Sequence, residues 1–382
     1  MRIGLVVTGG VDRSGRERVV PVLLWLIERL ARRHEVHVFA LHYYPQPCTY
    51  PLLGATIHDV GRVDGPPGLR RVRLRARLAA AVDAAGPFDV LHAYWGMPAG
   101  ILTTAIARRR DVPAVVTFAS GEFAAIDDIG YGLQRRWIDR RAIASTIRHA
   151  GAITVETAFM QALAARFGAR ADIVPMGVDP RRFPARDRTE GPPWRLLRVG
   201  SLNRVKDYPT LLHALARIVR DVADVHLDIV GEDVLGGEVQ ALARTLGLDA
   251  HVSCHGVQPT DRLATFYAGA HVHVTSSRHE AASVAVLEAA CSGVPTAGTS
   301  VGYVADWSAD RAVAVPIRDP VALADAVVHL IRDPARRARL ASAARAWALA
   351  HDADWTAGRV EAIYRELVET RRAALSGPPT RA

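Results

Sequence analysis

The chain has 382 residues, 49% of them hydrophobic, and a formal net charge of +9 from 48 Lys and Arg against 39 Asp and Glu. That length exceeds what one core supports and predicts two or three domains, and the apolar content excludes a disordered chain. Apolar runs break at Arg, Asp or Gly well short of the roughly eighteen residues a membrane span needs, and Met1 to Val7 lacks the apolar stretch of a secretory signal, so neither feature is expected.

In chain order, strands are predicted at Arg2 to Val7 and Val36 to Leu41, with the helix-spaced stretch Val19 to Arg33 between them. Further strands fall at Ala55 to Val60, Val90 to Tyr94, Ala114 to Phe118 and Ala152 to Val155, separated by helical segments. The alternation resumes at Leu196 to Val199, His226 to Val230, His251 to Cys254, Val272 to Thr275 and Pro295 to Gly298. It predicts an α/β protein with two Rossmann-like domains, each a parallel sheet covered on both faces. The segment PARDRTEGPP (Pro184 to Pro193) is charged and rich in Pro, the composition of an exposed connection, and is expected to be the hinge. The expected division is a first domain over 1–183, a second over 184–350, a terminal helix within 351–375 and a disordered tail over 376–382. Two such sheets would turn their carboxyl ends toward one cleft, where these folds bind ligands.

The chemistry concentrates in SSRHEAASVAVLEAACSGVP (Ser276 to Pro295), where Glu280 and Glu288 lie eight residues apart across a strand-to-helix junction. Glu280 falls in the loop after the strand and Glu288 about two turns into the helix. The unpaired N–H groups of Ala281, Ala282, Ser283 and Val284 would face a ligand that is negatively charged or rich in hydroxyls. Such a pair can hold a nucleotide sugar, one carboxylate on the sugar hydroxyls and one on the ribose diol. The spacing by itself also fits ordinary helix-cap and surface acids. Upstream, LLRVGSLNRVKDYPTLLHAL (Leu196 to Leu215) contains Lys206, the only lysine in the chain, at the carboxyl end of a strand. A compact ammonium there suits a diphosphate, and Arg204 could add a second cation.

These two segments, with IVPMGVDPRRF (Ile173 to Phe183) between the halves of the chain, resemble retaining glycosyltransferases of the GT-B fold, family GT4, in the right order over nearly the whole chain. The resemblance implies that Glu280 contacts the donor sugar near the reacting carbon, that Glu288 holds the ribose, and that Lys206 neutralises the diphosphate. It places the family's phosphate-binding Arg at Ser201, a departure that leaves Lys206, helped by Arg204. It also implies that the terminal helix crosses back onto the first domain. Gly231, in GED, and Val257, in HGV, match turns beside the nucleotide and its base. Gly9 and Gly10, in a glycine turn after the first strand, match a loop that faces the donor phosphates and the acceptor, and also fit a plain tight turn.

VVTFASGEF (Val115 to Phe123) departs from the family: Ala119 stands where many relatives carry a His that contacts the donor sugar, with Glu122 where an Asp is often found. That leaves open a nucleotide-sugar-binding protein with impaired catalysis, or another GT-B enzyme such as a nucleotide-sugar epimerase. His92 ends a strand near the same cleft and reads first as a structural hydrogen-bonding group, second as a site residue. Cys48, Cys254 and Cys291 are scattered without metal-ligand spacing, which predicts reduced thiols in a cytoplasmic protein. No metal or other cofactor is expected, and the Asp352-Ala353-Asp354 run reads as a helix N-cap rather than a metal pair. Arginine clusters at Gly68 to Leu78 and Gln134 to Arg141 fit either a solvated helix face or peripheral contact with an anionic membrane, and neither shows a clean apolar face. Aromatics are not interleaved with these clusters as stacking platforms, which argues against nucleic acid. The expected partners are therefore a nucleoside-diphosphate sugar and a hydroxyl acceptor.

Overall fold

A computed structural model describes residues 1–41 and 44–376. The expected tail at 376–382 lies outside the described residues except for Ser376, which ends a helix.

The first half builds a sheet from β1 (Arg2–Val7), β2 (Glu35–Ala40), β3 (Cys48–Leu52), β4 (Ala55–Asp59), β5 (Val90–Tyr94), β6 (Ala114–Phe118), β7 (Ala152–Val155) and β8 (Asp172–Ile173), in the order β3-β4-β2-β1-β5-β6-β7-β8. All neighbours are parallel except the β3–β4 hairpin, where Leu52 sits opposite Ala55. Strand β3 was not expected, because CTYPL is short, contains Pro51 and leaves alternate side chains in water. A proline is tolerated there because the strand lies at the sheet edge. The second half contributes β9 (Trp194–Val199), β10 (Val225–Val230), β11 (Val252–Cys254), β12 (Val272–Thr275), β13 (Thr296–Thr299) and β14 (Ala312–Val315), all parallel in the order β11-β10-β9-β12-β13-β14. The near-continuous apolar strands follow from burial on both faces by helices.

Helix Tyr208–Asp221 shows how the sequence fixes these layers. Asp207, at φ 49°, turns the chain and accepts from the Thr210 hydroxyl at 2.7 Å, while Pro209 occupies the first turn where its missing N–H costs nothing. Leu211, Leu212, Leu215 and Ile218 then share the buried face, each contributing about 1.5–3 kcal/mol by leaving water.

The terminal helix Ala353–Ser376 packs on the first half. Val360, Ile363, Tyr364 and Val368 are buried in one cluster with Ile27 and Leu30, and Arg29 donates to Asp354 at 2.8 Å. Asp352 caps the helix, accepting from the N–H groups of Asp354 and Trp355 at 3.0 and 2.9 Å. Gly177 is required here: a Cβ would meet the Asp352 carbonyl carbon at 2.2 Å, so only glycine lets the two backbones pass. The connection Pro184–Pro193 is held against the second half, where Arg188 donates to the Gly293 carbonyl at 3.0 Å and Thr189 meets His271 at 2.9 Å.

The halves also touch directly. Asp128 forms a paired contact with Arg278 at 2.7 and 2.8 Å, and Asp306 accepts from the N–H groups of Ala158 and Phe159 at 2.7 and 2.8 Å, capping a helix of the opposite half.

Candidate active site

A cavity of about 410 Å³ lies between the two sheets. Its walls are the carboxyl ends of β5 (Tyr94, Trp95), β6 (Ala119) and β7 (Glu156) on one side, and of β9 (Val199, Gly200) and β12 (Glu280 to Ala285) on the other. Lys206 and Glu288 complete the second wall.

Lys206 is presented by a short turn over Arg204–Lys206 that Asn203 caps, its side chain accepting from the Val205 and Lys206 N–H groups at 3.2 Å each. The ammonium lies 2.5 Å from Glu280 Oε1, and Ser277 Oγ donates to the same oxygen at 2.7 Å. Burial alone would raise the Glu280 carboxyl, but the Lys206 ammonium, then the Arg198 guanidinium and the two hydrogen bonds, outweigh it and hold the group below the usual carboxylate range. Glu280 is therefore ionised at neutral pH and oriented by its partners.

Glu288 sits on helix Val284–Cys291 and accepts from the Tyr267 hydroxyl at 2.8 Å. Burial pushes its carboxyl up to about 7, against the opposing pull of that bond. Ser283 takes φ 80° and ends the loop, so helix winding starts at Val284. The N–H groups of Ala282, Ser283 and Val284 have no acceptor among the described residues, and all three residues line the cavity. Unpaired N–H groups at a helix start suit an anion.

The remaining candidates fall elsewhere. Arg204 lies in a neighbouring cleft, paired with Glu238 at 3.1 Å and about 60% exposed, so it is not a second cation beside Lys206. Gly231 stands behind the cavity wall; a Cβ there would meet the Gly200 carbonyl oxygen at 2.1 Å, so glycine is needed for the two loops to approach. Val257 is exposed on the loop after β11 and does not line the cavity. Gly9 and Gly10 do not line it either. Gly10, at φ 82°, accepts from the Val20 N–H at 3.0 Å and folds the loop back so that Val20 and Pro21 form the wall instead. Glu122 is a correction: its two oxygens accept from the Gly96 N–H at 3.0 Å and the Ser120 N–H at 2.7 Å, which consumes the carboxyl in holding the β6 loop. His92 is another. It is fully buried between the Tyr364 hydroxyl at 2.6 Å and the Thr117 hydroxyl at 2.7 Å, and burial drives its pKa down to about 3. A neutral imidazole joining β5 to the terminal helix is structural.

Three residues beside the site were not singled out from the sequence. Arg198, fully buried in β9, donates to Thr275 Oγ1 at 3.1 Å and Ser277 Oγ at 3.0 Å, and so backs the hydroxyl that orients Glu280. An arginine within the apolar stretch Leu196 to Val199 was the available signal. Glu156 follows β7 directly, the strand-end position that should draw attention to any acid. Tyr267 carried no signal, because its role depends on Glu288 lying beside it in space.

Among the described residues, no group of three or more His, Cys, Asp or Glu is arranged to hold a metal ion, and no helix is long and apolar enough to cross a membrane.

Comparison with known proteins accords with this geometry. The family described as Glycosyl transferases group 1 matches residues 181–347, and the Glycosyl transferase 4-like domain matches residues 19–178. The chain is 30% identical over 324 residues to the D-inositol 3-phosphate glycosyltransferase 1 of Catenulispora acidiphila, an alignment spanning 77% of this chain and 76% of that one. In fold it is similar to sucrose-phosphate synthase from Thermosynechococcus elongatus, with a TM-score of 0.80, 19% identity, and 97% and 100% of the two chains covered. It is also similar to HepE of Anabaena in complex with UDP-glucose, with a TM-score of 0.72, 16% identity, and 96% and 100% covered.

Proposed function

This chain belongs to the glycosyl transferases group 1 family, and on that premise we propose that it moves a sugar from a nucleoside-diphosphate donor to an acceptor hydroxyl with retention of configuration and without a metal. The observation that carries the reading is the convergence of the Lys206–Glu280 pair, the free N–H groups of Ala282 to Val284, and Glu288 in one cavity. In it, the diphosphate lies against the Lys206 ammonium and those N–H groups, which meet the charge that grows as the glycosidic bond breaks. Glu280 positions the sugar and favours positive charge at the anomeric carbon. Glu288 accepts from the ribose diol. A diphosphate oxygen on the same face of the sugar takes the acceptor proton, which gives retention without a protein base at that position. Sugar transfer here is a matter of placement and electrostatics. A hinge at Pro184–Pro193 lets the halves close over the donor and exclude water.

A UDP-sugar is the first donor to test, since UDP-glucose occupies the similar HepE structure. A thermal-shift screen of UDP-, GDP-, ADP- and dTDP-sugars, followed by assay of nucleoside diphosphate release with an added acceptor, tests the reading. The expected result is stabilisation by one donor class and release that depends on acceptor. Stabilisation with no release across an acceptor library would make the chain a donor-binding protein instead.

Exposed Trp137 and Ile138 beside Arg136, Arg140 and Arg141 support a peripheral contact between a cytoplasmic protein and anionic lipid. Sedimentation with phosphatidylglycerol vesicles, but not phosphatidylcholine vesicles, is the expected outcome.

A further inference from the structure

One carboxyl in the cavity is left without a role by the donor. Glu156 is only 6% exposed, yet it lines the cavity beside Tyr94, Trp95, Ala119 and Met176, on the wall formed by the first sheet. Among the described residues nothing donates a hydrogen bond to it and no cation pairs with it. Its acidic neighbours differ: Glu122 is satisfied by two backbone N–H groups, Glu280 by Lys206 and Ser277, and Glu288 by Tyr267. A largely buried carboxyl that opens only on the cavity, with no protein group to bond, takes its hydrogen bonds from whatever fills that cavity, and a ligand there can supply the missing partner. Burial, and then the nearby Glu122 and Glu280, push it up to about 8. Tyr303, from the second half, is near enough to feel its charge and buries a hydroxyl that also has no partner among the described residues.

The charge of the two walls points to the ligand. Lys206 faces the cavity from the second half, whereas among the described residues the lining drawn from the first half contains no Lys, Arg or His. We propose that Glu156 recognises the acceptor, and that it selects a hydroxylated acceptor presenting an amine, and no phosphate, at that position. This rests on the donor reading, which places the reacting sugar carbon between Glu280 and the first half. An ammonium supplies both the hydrogen bonds and the countercharge that Glu156 lacks; on binding, the Glu156 proton passes to solvent water and a charge-assisted pair forms. A phosphate in the same place meets the carboxyls of Glu156 and Glu280 with no cation from that wall among the described residues, so the site rejects as well as selects.

The test uses the full chain saturated with UDP, with glucosamine, glucose and glucose 6-phosphate as probes. Glucosamine is expected to raise the melting temperature of the UDP complex most and glucose 6-phosphate least, with apparent affinities differing at least tenfold. Glu156→Gln is expected to erase that preference while UDP affinity stays within twofold of wild type. Glucose 6-phosphate binding as well as glucosamine overturns the proposal. So does a Glu156→Gln variant with weakened UDP binding, which would put the carboxyl on the donor. The variant should melt at or above wild type at pH 8, since an unsatisfied carboxyl has been removed; a fall beyond about 5 °C would assign Glu156 a structural role and also overturn it. Wild-type protein that ignores UDP, GDP, ADP and dTDP alike sinks the donor reading and this proposal with it, and where one of the others binds in place of UDP it becomes the saturating nucleotide of the same test. Wild-type protein that binds UDP without preferring glucosamine sinks this proposal alone.

Discussion

Replacing Lys206 by Met should damage activity far more than stability, and the structure sets both magnitudes. The substitution removes the ammonium 2.5 Å from Glu280, in a pair whose side chains are only 19% and 11% exposed. Breaking a buried pair by deleting one partner typically costs about 3–5 kcal/mol. Here the Ser277 hydroxyl stays on the carboxylate and Arg198 lies behind it, so about 1–3 kcal/mol is expected, a fall of several degrees in melting temperature. Glu280 would also lose the largest influence that lowers its pKa, and its carboxyl should titrate higher. The catalytic loss is larger, because the ammonium is proposed to act on the leaving diphosphate; removing one such preorganised group costs about 10²–10³ in rate. Lys206→Arg preserves the charge and most of the stability, but the planar guanidinium does not fit the capped turn as a point charge does, so most activity should still be lost. The assay is nucleoside diphosphate release at varied donor, run beside thermal melts of each variant. A Met variant within threefold of wild-type kcat/KM would refute the reasoning, and a fully active Arg variant would reduce Lys206 to a bare charge.

Glu288→Ala should weaken donor binding by about 1.5–3 kcal/mol in calorimetry, whereas unchanged affinity would make Glu288 a structural helix residue. The Glu288 carboxyl has a folded-state pKa of about 7, above its ordinary 4.5, so its contribution to stability is full below about pH 4.5 and is lost as pH rises through 7. Glu288→Gln should therefore gain on wild type between those limits, by up to about 3 kcal/mol at pH 8, and melts showing no such trend would contradict the burial argument. His92→Leu should destabilise the chain by about 2–4 kcal/mol, through loss of bonds to Tyr364 and Thr117, yet leave kcat near wild type at temperatures where the variant is folded. A selective loss of kcat would restore it to the site. Activity should survive EDTA, and abolition by chelator with recovery on adding manganese would contradict the metal-free reading.

What the sequence made legible was local. Strand Val90–Tyr94 and the junction around Glu280 were readable because apolar runs ended at polar turns, and because the pattern from Leu196 to Leu215 is continuous in sequence. Lys206, Glu280 and Glu288 were found together for the same reason: each sits at a strand end or on the helix that follows. The errors lie where a role depends on contacts distant in sequence. His92 was read first as structural, but its place at a strand end kept a site role open, because nothing nearby announced that Tyr364, 272 residues on, would close over it. Glu122 looked available until the fold brought the Gly96 N–H to its carboxylate. Arg204 was near Lys206 in sequence yet turned away to Glu238. Arg198 hid inside the stretch Leu196 to Val199, whose other residues read as core.

Donor affinity and donor turnover, measured side by side for wild type and Glu280→Gln with the nucleotide sugar that stabilises the protein most, test the central claim most directly. The Gln variant keeps the shape and loses the charge proposed to matter only as the glycosidic bond breaks. The account predicts donor affinity within about threefold of wild type and turnover at least 100-fold lower, roughly 2.7 kcal/mol of transition-state stabilisation. Turnover at the wild-type rate in Glu280→Gln would contradict it.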